Sequence, residues 1–230
     1  MILPVTPGGV ALSVNQKSKI IGSGGAKGVA DITQFTFKAL NYAAQFGEGV
    51  SLKVRYDANS PFKLTFGDGK ISSLTVVSWG LVNERLIFFY VDETRPWDEQ
   101  VLCLGALATI IRLYLVGSVV MSPDPNMAGA IAREFRSSSN SLACLLAGNL
   151  ISKGKDPLEI VGHIEGLDAI AFYGHEFTPD MTKKLQGLGY YVIYNVRNST
   201  DENLIREIAK TGAWIICYDP RGVAGIIQSQ

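Results

Sequence analysis

The 230-residue chain is long enough to bury a substantial core, and with 47% hydrophobic and 18% charged residues it is not composed like a disordered protein. Its 21 Lys and Arg balance 21 Asp and Glu, so it lacks the basic excess that phosphate-backbone binders carry. Charge alone therefore disfavours nucleic-acid binding.

Residues 1–30 read as an extended, glycine-punctuated arm. The start, MILPVTPGGV, lacks a basic segment followed by an apolar one, so no signal peptide is expected. From Asp31 to Phe46, the residues Ile32, Phe35, Leu40, Ala43 and Ala44 fall near one helical face. From Ser51 the period becomes two. Leu52, Val54 and Tyr56 alternate with Lys53 and Arg55, and Phe62-Lys63-Leu64-Thr65-Phe66 repeats the pattern before a Gly67-Asp68-Gly69 turn. With Leu74–Val82 and Leu86–Val91 read as two more strands turned by Asn83-Glu84, residues 51–92 predict an antiparallel meander.

Val101–Met121 is about the length of a bilayer span, but Arg112 stands at its middle and Pro96-Trp97-Asp98-Glu99 precedes it. A helix buried on most sides is expected instead, with Arg112 reaching an edge or a carboxylate. Two shorter helices are expected over Met127–Arg136 and Leu142–Ile151. Beyond them, Leu167–Tyr173, Tyr190–Val196 and Ala213–Tyr218 are continuous apolar runs, as in strands covered on both faces. Helix starts at Thr178-Pro179-Asp180 and Ser199-Thr200-Asp201-Glu202 separate them. This order predicts parallel strands joined by crossovers. The expected fold class is α+β: an antiparallel β meander and central helices, followed by a parallel β-α-β-α-β unit. The boundaries are an arm over 1–30, a β-rich part over 31–95, a helical part over 96–152 and an α/β unit over 153–230.

Four features carry possible chemistry. The loop GSGGAKG, residues 22–28, resembles the oxyanion loop of patatin-like lipases, but the chain has no GxSxG nucleophile turn, so the loop is expected only to turn the chain. The polar ends of the last three strands are more suggestive, because ligands bind beyond the carboxyl ends of parallel strands. They carry His175, Glu176 and Asp219 as candidate catalytic groups, and Asn195, Arg197 and Arg221 as candidate ligand-binding groups. His163 and His175, near Glu165, Asp168 and Glu176, match no metal-ligand spacing, so neither a metal site nor a cofactor is expected. Cys103, Cys144 and Cys217 are far apart within apolar runs and read as buried reduced thiols, which suits a reducing, cytoplasmic compartment or an assembled particle.

Two family resemblances follow from the last third. LQGLGYYVIYNVRNSTDENLIREIAKTGAWIICYDP resembles the closing βα repeats of glycerophosphodiester phosphodiesterases. That family depends on an early His-Arg-Gly segment and on metal-binding acids; this chain has no His-Arg-Gly, and only Asp219-Pro220 carries over. DPLEIVGHIEGLDAIAFYGHEFTPDMTKKLQGLGYYVIYNV is similar to the α/β domain of contractile phage tail-sheath proteins. The second resemblance, with the arm and the absence of a complete catalytic set, implies a soluble, non-enzymatic assembly subunit, such as a viral, phage tail-like particle would contain. It would self-associate through its arm and sheet edges, with other particle subunits as further candidate partners, and have no nucleic-acid or membrane partner. The alternative is a small-molecule or phosphate-ester enzyme or binder, its site at the carboxyl ends of the parallel strands.

Overall fold

The structure is a computed structural model that describes residues 18–23, 45–66, 71–82, 85–136, 138, 140–148, 150–197 and 199–229. In chain order, strand β1 (Ile20–Ser23) is followed by β2 (Gly49–Tyr56), a short hairpin β3 (Leu64–Phe66) and β4 (Ile71–Ser72), and helix α1 (Ser73–Val82). Strand and helix then alternate through β5 (Leu86–Val91), α2 (Trp97–Tyr114), β6 (Ser118–Ser122), α3 (Pro125–Phe135), β7 (Ser141–Gly148) and α4 (Pro157–Gly162). The chain ends with β8 (Ala169–Tyr173), α5 (Pro179–Gly187), β9 (Tyr191–Arg197), α6 (Glu202–Lys210), β10 (Trp214–Cys217) and α7 (Pro220–Gln228).

Eight of the strands form a closed parallel ring, β1-β2-β5-β6-β7-β8-β9-β10, with β10 returning to β1. This is a closed eight-stranded parallel barrel with helices around it, of the TIM-barrel type. The expected α+β fold is overturned, and the reason lies in residues 73–82. Val76, Val77 and Trp79 suggested a strand, but the segment is helix α1. It converts an apparent hairpin into a crossover, so β5 runs parallel to β2 from Gly49↔Leu86 to Val54↔Val91. Antiparallel pairing among the described residues is confined to β2, β3 and β4. The parallel β-α-β-α-β of the last third is likewise no separate unit: its three strands are staves of the ring.

Two further elements differ from expectation. Leu142–Ile151 is mostly strand β7 rather than helix. The long helix stops at Tyr114, where Leu115 takes a left-handed conformation (φ 51°), and the remaining apolar residues form β6. No helix among the described residues is long and apolar enough to cross a membrane. Arg112 bonds the carboxylate of Glu134 at 2.8 Å. Most of the N-terminal arm lies outside the described residues. Its residues Ile20–Ser23 pair with β2 and β10 of their own chain, not with a neighbour's edge.

Side chains alternate across each strand, and the alternation divides the apolar residues into two cores. Leu52, Val54, Ile87, Phe89, Val120, Ile170, Val192 and Ile215 face outward under the helices. Ile21, Leu86, Phe88, Val119, Cys144, Ala169, Ala171, Tyr191, Ile193 and Trp214 fill the barrel. Large rings there are balanced by small residues: Trp214 packs on Tyr191 and Phe88 with centroids 5.0 and 6.0 Å apart. Gly49 also belongs to this balance. A Cβ there would come within 2.5 Å of the Leu86 carbonyl oxygen, so β2 and β5 approach this closely only with glycine.

Candidate functional site

All eight strands of the ring run the same way, so their carboxyl ends share one rim, where such barrels carry their chemistry. On the β8–β9 side, Tyr173, Gly174, His175, Asn195, Val196, Arg197, Ser199 and Leu204 line a cleft of about 400 Å3. Local backbone geometry builds it. Ile216 pairs with Asn195 but Cys217 pairs with Arg197, which leaves Val196 bulged. Arg197, just after the bulge, has φ 52°, a conformation that non-glycine residues rarely adopt. The Asn195 side chain accepts a hydrogen bond from the Arg197 N–H at 3.1 Å, and the Tyr218 N–H donates to the Arg197 carbonyl at 2.7 Å. The guanidinium so aimed lies 4.4 Å from the centre of the Tyr173 ring. The His175 ring stacks on that same tyrosine at 5.8 Å. Strain held in place by its surroundings, at the rim of a cleft, is a mark of a functional position.

The three remaining candidates lie elsewhere. Glu176 is 5% exposed and turns to the β7–α4 loop, where one oxygen accepts from the Ser152 N–H (2.9 Å) and hydroxyl (3.1 Å). Asp219 caps α7 by accepting from the Gly222 N–H at 3.0 Å. Its role in the Asp219-Pro220 pair is thus helix initiation, as at Asp124-Pro125 and Asp156-Pro157. Arg221 lies over the Phe46 ring, 5.7 Å from its centre. The cleft therefore gathers His175, Asn195 and Arg197, and leaves out Glu176, Asp219 and Arg221.

The opposite side of the rim holds a cluster that sequence reasoning missed. Lys53 of β2 stands beside Tyr90 of β5, its ammonium 5.2 Å from the ring centre. The same ammonium lies 3.1 Å from Asp92 and 3.7 Å from Glu93. Thr94 gives Asp92 two more hydrogen bonds, from its N–H at 3.2 Å and its hydroxyl at 2.7 Å. Burial alone would raise the Asp92 carboxyl, but the bonds from Thr94 and Lys53 outweigh it and hold the group below its ordinary value. Burial, aided by a hydrogen bond with Glu93, pushes the Tyr90 phenol far up, so it stays protonated. Beyond this cluster, Arg55, Asp57, Arg95 and Glu99 help line a second depression of about 510 Å3. The available signal was the pair Lys53 and Arg55 on one face of β2; on an open meander that face would have been solvent.

Other groups are placed away from this chemistry. The Gly-rich loop beyond Ser23, with Lys27, lies outside the described residues, as does Asn198. His163 caps the end of α4 at the entrance to β8, while His175 follows the exit of that strand. Glu165 pairs with Arg136, and Asp168, raised by burial, accepts from the Ala143 N–H at 2.8 Å. Cys103, Cys144 and Cys217 are buried and free; burial lifts the Cys103 and Cys217 thiols to about 12 and Cys144 higher still. None of the three is poised as a nucleophile.

No protein-family model matches the sequence, and no curated protein matches it. Solved structures do share its fold. A glycerophosphoryl diester phosphodiesterase of Silicibacter pomeroyi DSS-3, so described provisionally, is 14% identical, with 94% of each chain covered and a TM-score of 0.71. An Oleispira antarctica phosphodiesterase in complex with the product sn-glycerol-3-phosphate is 14% identical, with a TM-score of 0.69; the match covers 92% of this chain and 97% of that one. A glycerophosphodiester phosphodiesterase of Agrobacterium tumefaciens str. C58 is 16% identical, with a TM-score of 0.66, over 93% of this chain and 100% of that one. At such identities the likeness establishes the fold alone.

These neighbours overturn the tail-sheath resemblance, and with it the expected non-enzymatic assembly subunit of a phage tail-like particle. The strand–helix pattern of residues 156–196 fitted a sheath α/β domain because any βα repeat has it; here it belongs to a barrel that includes the first strand. The metal-binding acids implied by the phosphodiesterase resemblance are a separate matter. Among the described residues no group of three or more His, Cys, Asp or Glu could hold a metal ion. The two carboxylates that do meet at the mouth are occupied by Lys53.

Proposed function

We propose that the chain is an enzyme acting on small phosphate esters, with its site in the Tyr173–His175–Asn195–Arg197 cleft. The single observation carrying this reading is Arg197, held at positive φ over the Tyr173 ring on the rim of a barrel. Arginine's planar fork matches a phosphate with two parallel hydrogen bonds, and an aromatic face beneath it fixes the plane of approach. Asn195 has spent its oxygen on the Arg197 N–H, so its NH2 is what it offers a ligand. That the fold neighbours are named as phosphodiesterases, one of them in complex with sn-glycerol-3-phosphate, supports this substrate class.

His175 supplies the proton transfer. Its imidazole has one ring nitrogen that can accept a proton and one that can give it, and it is the one imidazole among the described residues lining the cleft. In hydrolysis, water adds to phosphorus and the P–O bond to the alcohol breaks. His175 gives its proton to the departing alkoxide and regains one from the attacking water.

Calorimetry with sn-glycerol 3-phosphate, and turnover of sn-glycero-3-phosphocholine, test the reading. Arg197→Ala should weaken binding by about tenfold or more, the loss of one charge-assisted pair. His175→Ala should leave binding nearly unchanged and lower turnover by about a hundredfold or more. Equal affinity in wild type and Arg197→Ala would rule the cleft out as a phosphate site.

A further inference from the structure

The geometry points to a mouth with a built-in cation: the Lys53 ammonium occupies the place where a divalent metal would sit, so that a phosphate ester is bound without one. This inference rests on the phosphate-ester reading above, but its central observation stands apart from it.

Asp92 and Glu93 are the acids brought together at the exit of β5. Asp92 is almost fully buried, its side chain 6% exposed, whereas Glu93 is 39% exposed. An enclosed carboxylate beside a half-open one is the start of an oxygen-ligand cation site, since hard divalent ions favour such donors. Here the position is filled. Lys53 Nζ stands 3.1 Å from Asp92 and 3.7 Å from Glu93, with the negative face of the Tyr90 ring 5.2 Å away. The remaining Asp92 oxygen faces Arg55, whose Nε is 3.9 Å distant.

Charge decides the matter. Two carboxylates already face two cations, so the cluster is neutral before any ion arrives. A divalent ion would have to displace the ammonium or sit beside it, against the repulsion of a cation already paired with both acids. Asp92 Oδ1 is further saturated by the two bonds from Thr94. The same ammonium keeps the mouth from becoming net negative, as two unpaired acids would make it. On that side of the rim an approaching anionic ester therefore meets a neutral cluster rather than a repulsive pair of acids.

The test is calorimetric titration of the full chain with Mn2+ alone, and then with sn-glycerol 3-phosphate in EDTA and in Mn2+. Wild type should show no Mn2+ binding, and Lys53→Asp, which removes the ammonium and supplies a third carboxylate, should gain it. The ester should bind wild type equally, within about twofold, in EDTA and in Mn2+. Mn2+ binding by wild type that Asp92→Asn weakens about tenfold would overturn the inference, as would ester affinity about tenfold greater in Mn2+. If Lys53→Asp does not fold, the wild-type titrations decide alone. Failure of the ester to bind under both conditions would sink the phosphate-ester reading, and that result is separate from the Mn2+ titration, which still reports on Lys53.

Discussion

The two ends of the barrel are made from the same eight strands and solve opposite problems. At the strand entrances, Trp214, Tyr191, Leu86 and Gly49 interlock with scarcely any exposed surface, and Gly49 is there because a side chain would collide with β5. At the exits, the same strands carry Lys53, Tyr90, Tyr173, Asn195 and Arg197, two of them behind bulges or neighbouring ion pairs, one in a strained conformation. Apolar packing thus fills the entrances, while the exits carry the Lys53 ion pairs and the strained Arg197 beside its cleft. The comparison implies that substitutions at the entrances should damage stability, while those at the exits should damage function with progressively smaller effects on stability.

The largest effect is expected at Trp214. It is 3% exposed, touches Tyr191 and Phe88, and lies under the Lys19 ammonium at 5.8 Å. Truncation leaves a cavity that the rigid ring cannot close. Trp214→Ala should cost about 3–5 kcal/mol in urea unfolding. A loss below about 1 kcal/mol would mean that the interior can collapse around the gap, and that the two ends differ less than their packing suggests.

The sequence disclosed these two ends unequally. The apolar runs ending in His175, Arg197 and Asp219 were legible because β8, β9 and β10 are covered on both faces and read as unbroken hydrophobic stretches. Their polar tips located one half of the mouth. The other half was hidden by two exchanges of helix and strand. Residues 73–82 are rich in valine yet form a helix, and Ser141–Gly148 is rich in leucine and alanine yet forms a strand. Short apolar runs do not declare their type by periodicity, and the closed ring decides it for them. With those exchanges unread, Lys53 and Arg55 had no interior to face. Within the visible half, chain position could not separate Arg197, which enters the cleft, from Asp219, which caps a helix.

An intermediate effect is expected at Asp92, where the mouth is structural and charged at once. Its pKa in the fold lies below the ordinary value, so the folded protein holds that proton less tightly than the unfolded chain. The stability it contributes is fully present above the unfolded aspartate pKa of about 3.9 and is lost as pH falls through the lower folded value. At neutral pH, Asp92→Asn leaves Lys53 and Arg55 facing a neutral amide and should cost about 1–3 kcal/mol. The gap between variant and wild type should then narrow as the solution is acidified toward about pH 2. A gap that stays constant with pH would assign the effect to shape and to the Thr94 bonds rather than to charge.

The smallest effect on stability, and the sharpest separation from function, is expected for Arg197→Gly. A side chain at φ 52° carries strain of about 1–2 kcal/mol that glycine relieves. Glycine gives back about 0.5–1 kcal/mol through the greater freedom of the unfolded chain. Loss of the guanidinium from the Tyr173 face costs about another 0.5–1 kcal/mol. These terms nearly cancel, so the melting temperature should move by no more than about 2–4 °C. Binding of sn-glycerol 3-phosphate should nonetheless fall by about tenfold or more, because the fork is gone while the bulge that aimed it remains. That outcome would assign the Arg197 side chain to a ligand rather than to the fold. Were Arg197→Gly instead to unfold the rim, with a loss comparable to that at Trp214, the guanidinium would be a stay between β8 and β9. The cleft would then have to find its anion-binding group elsewhere.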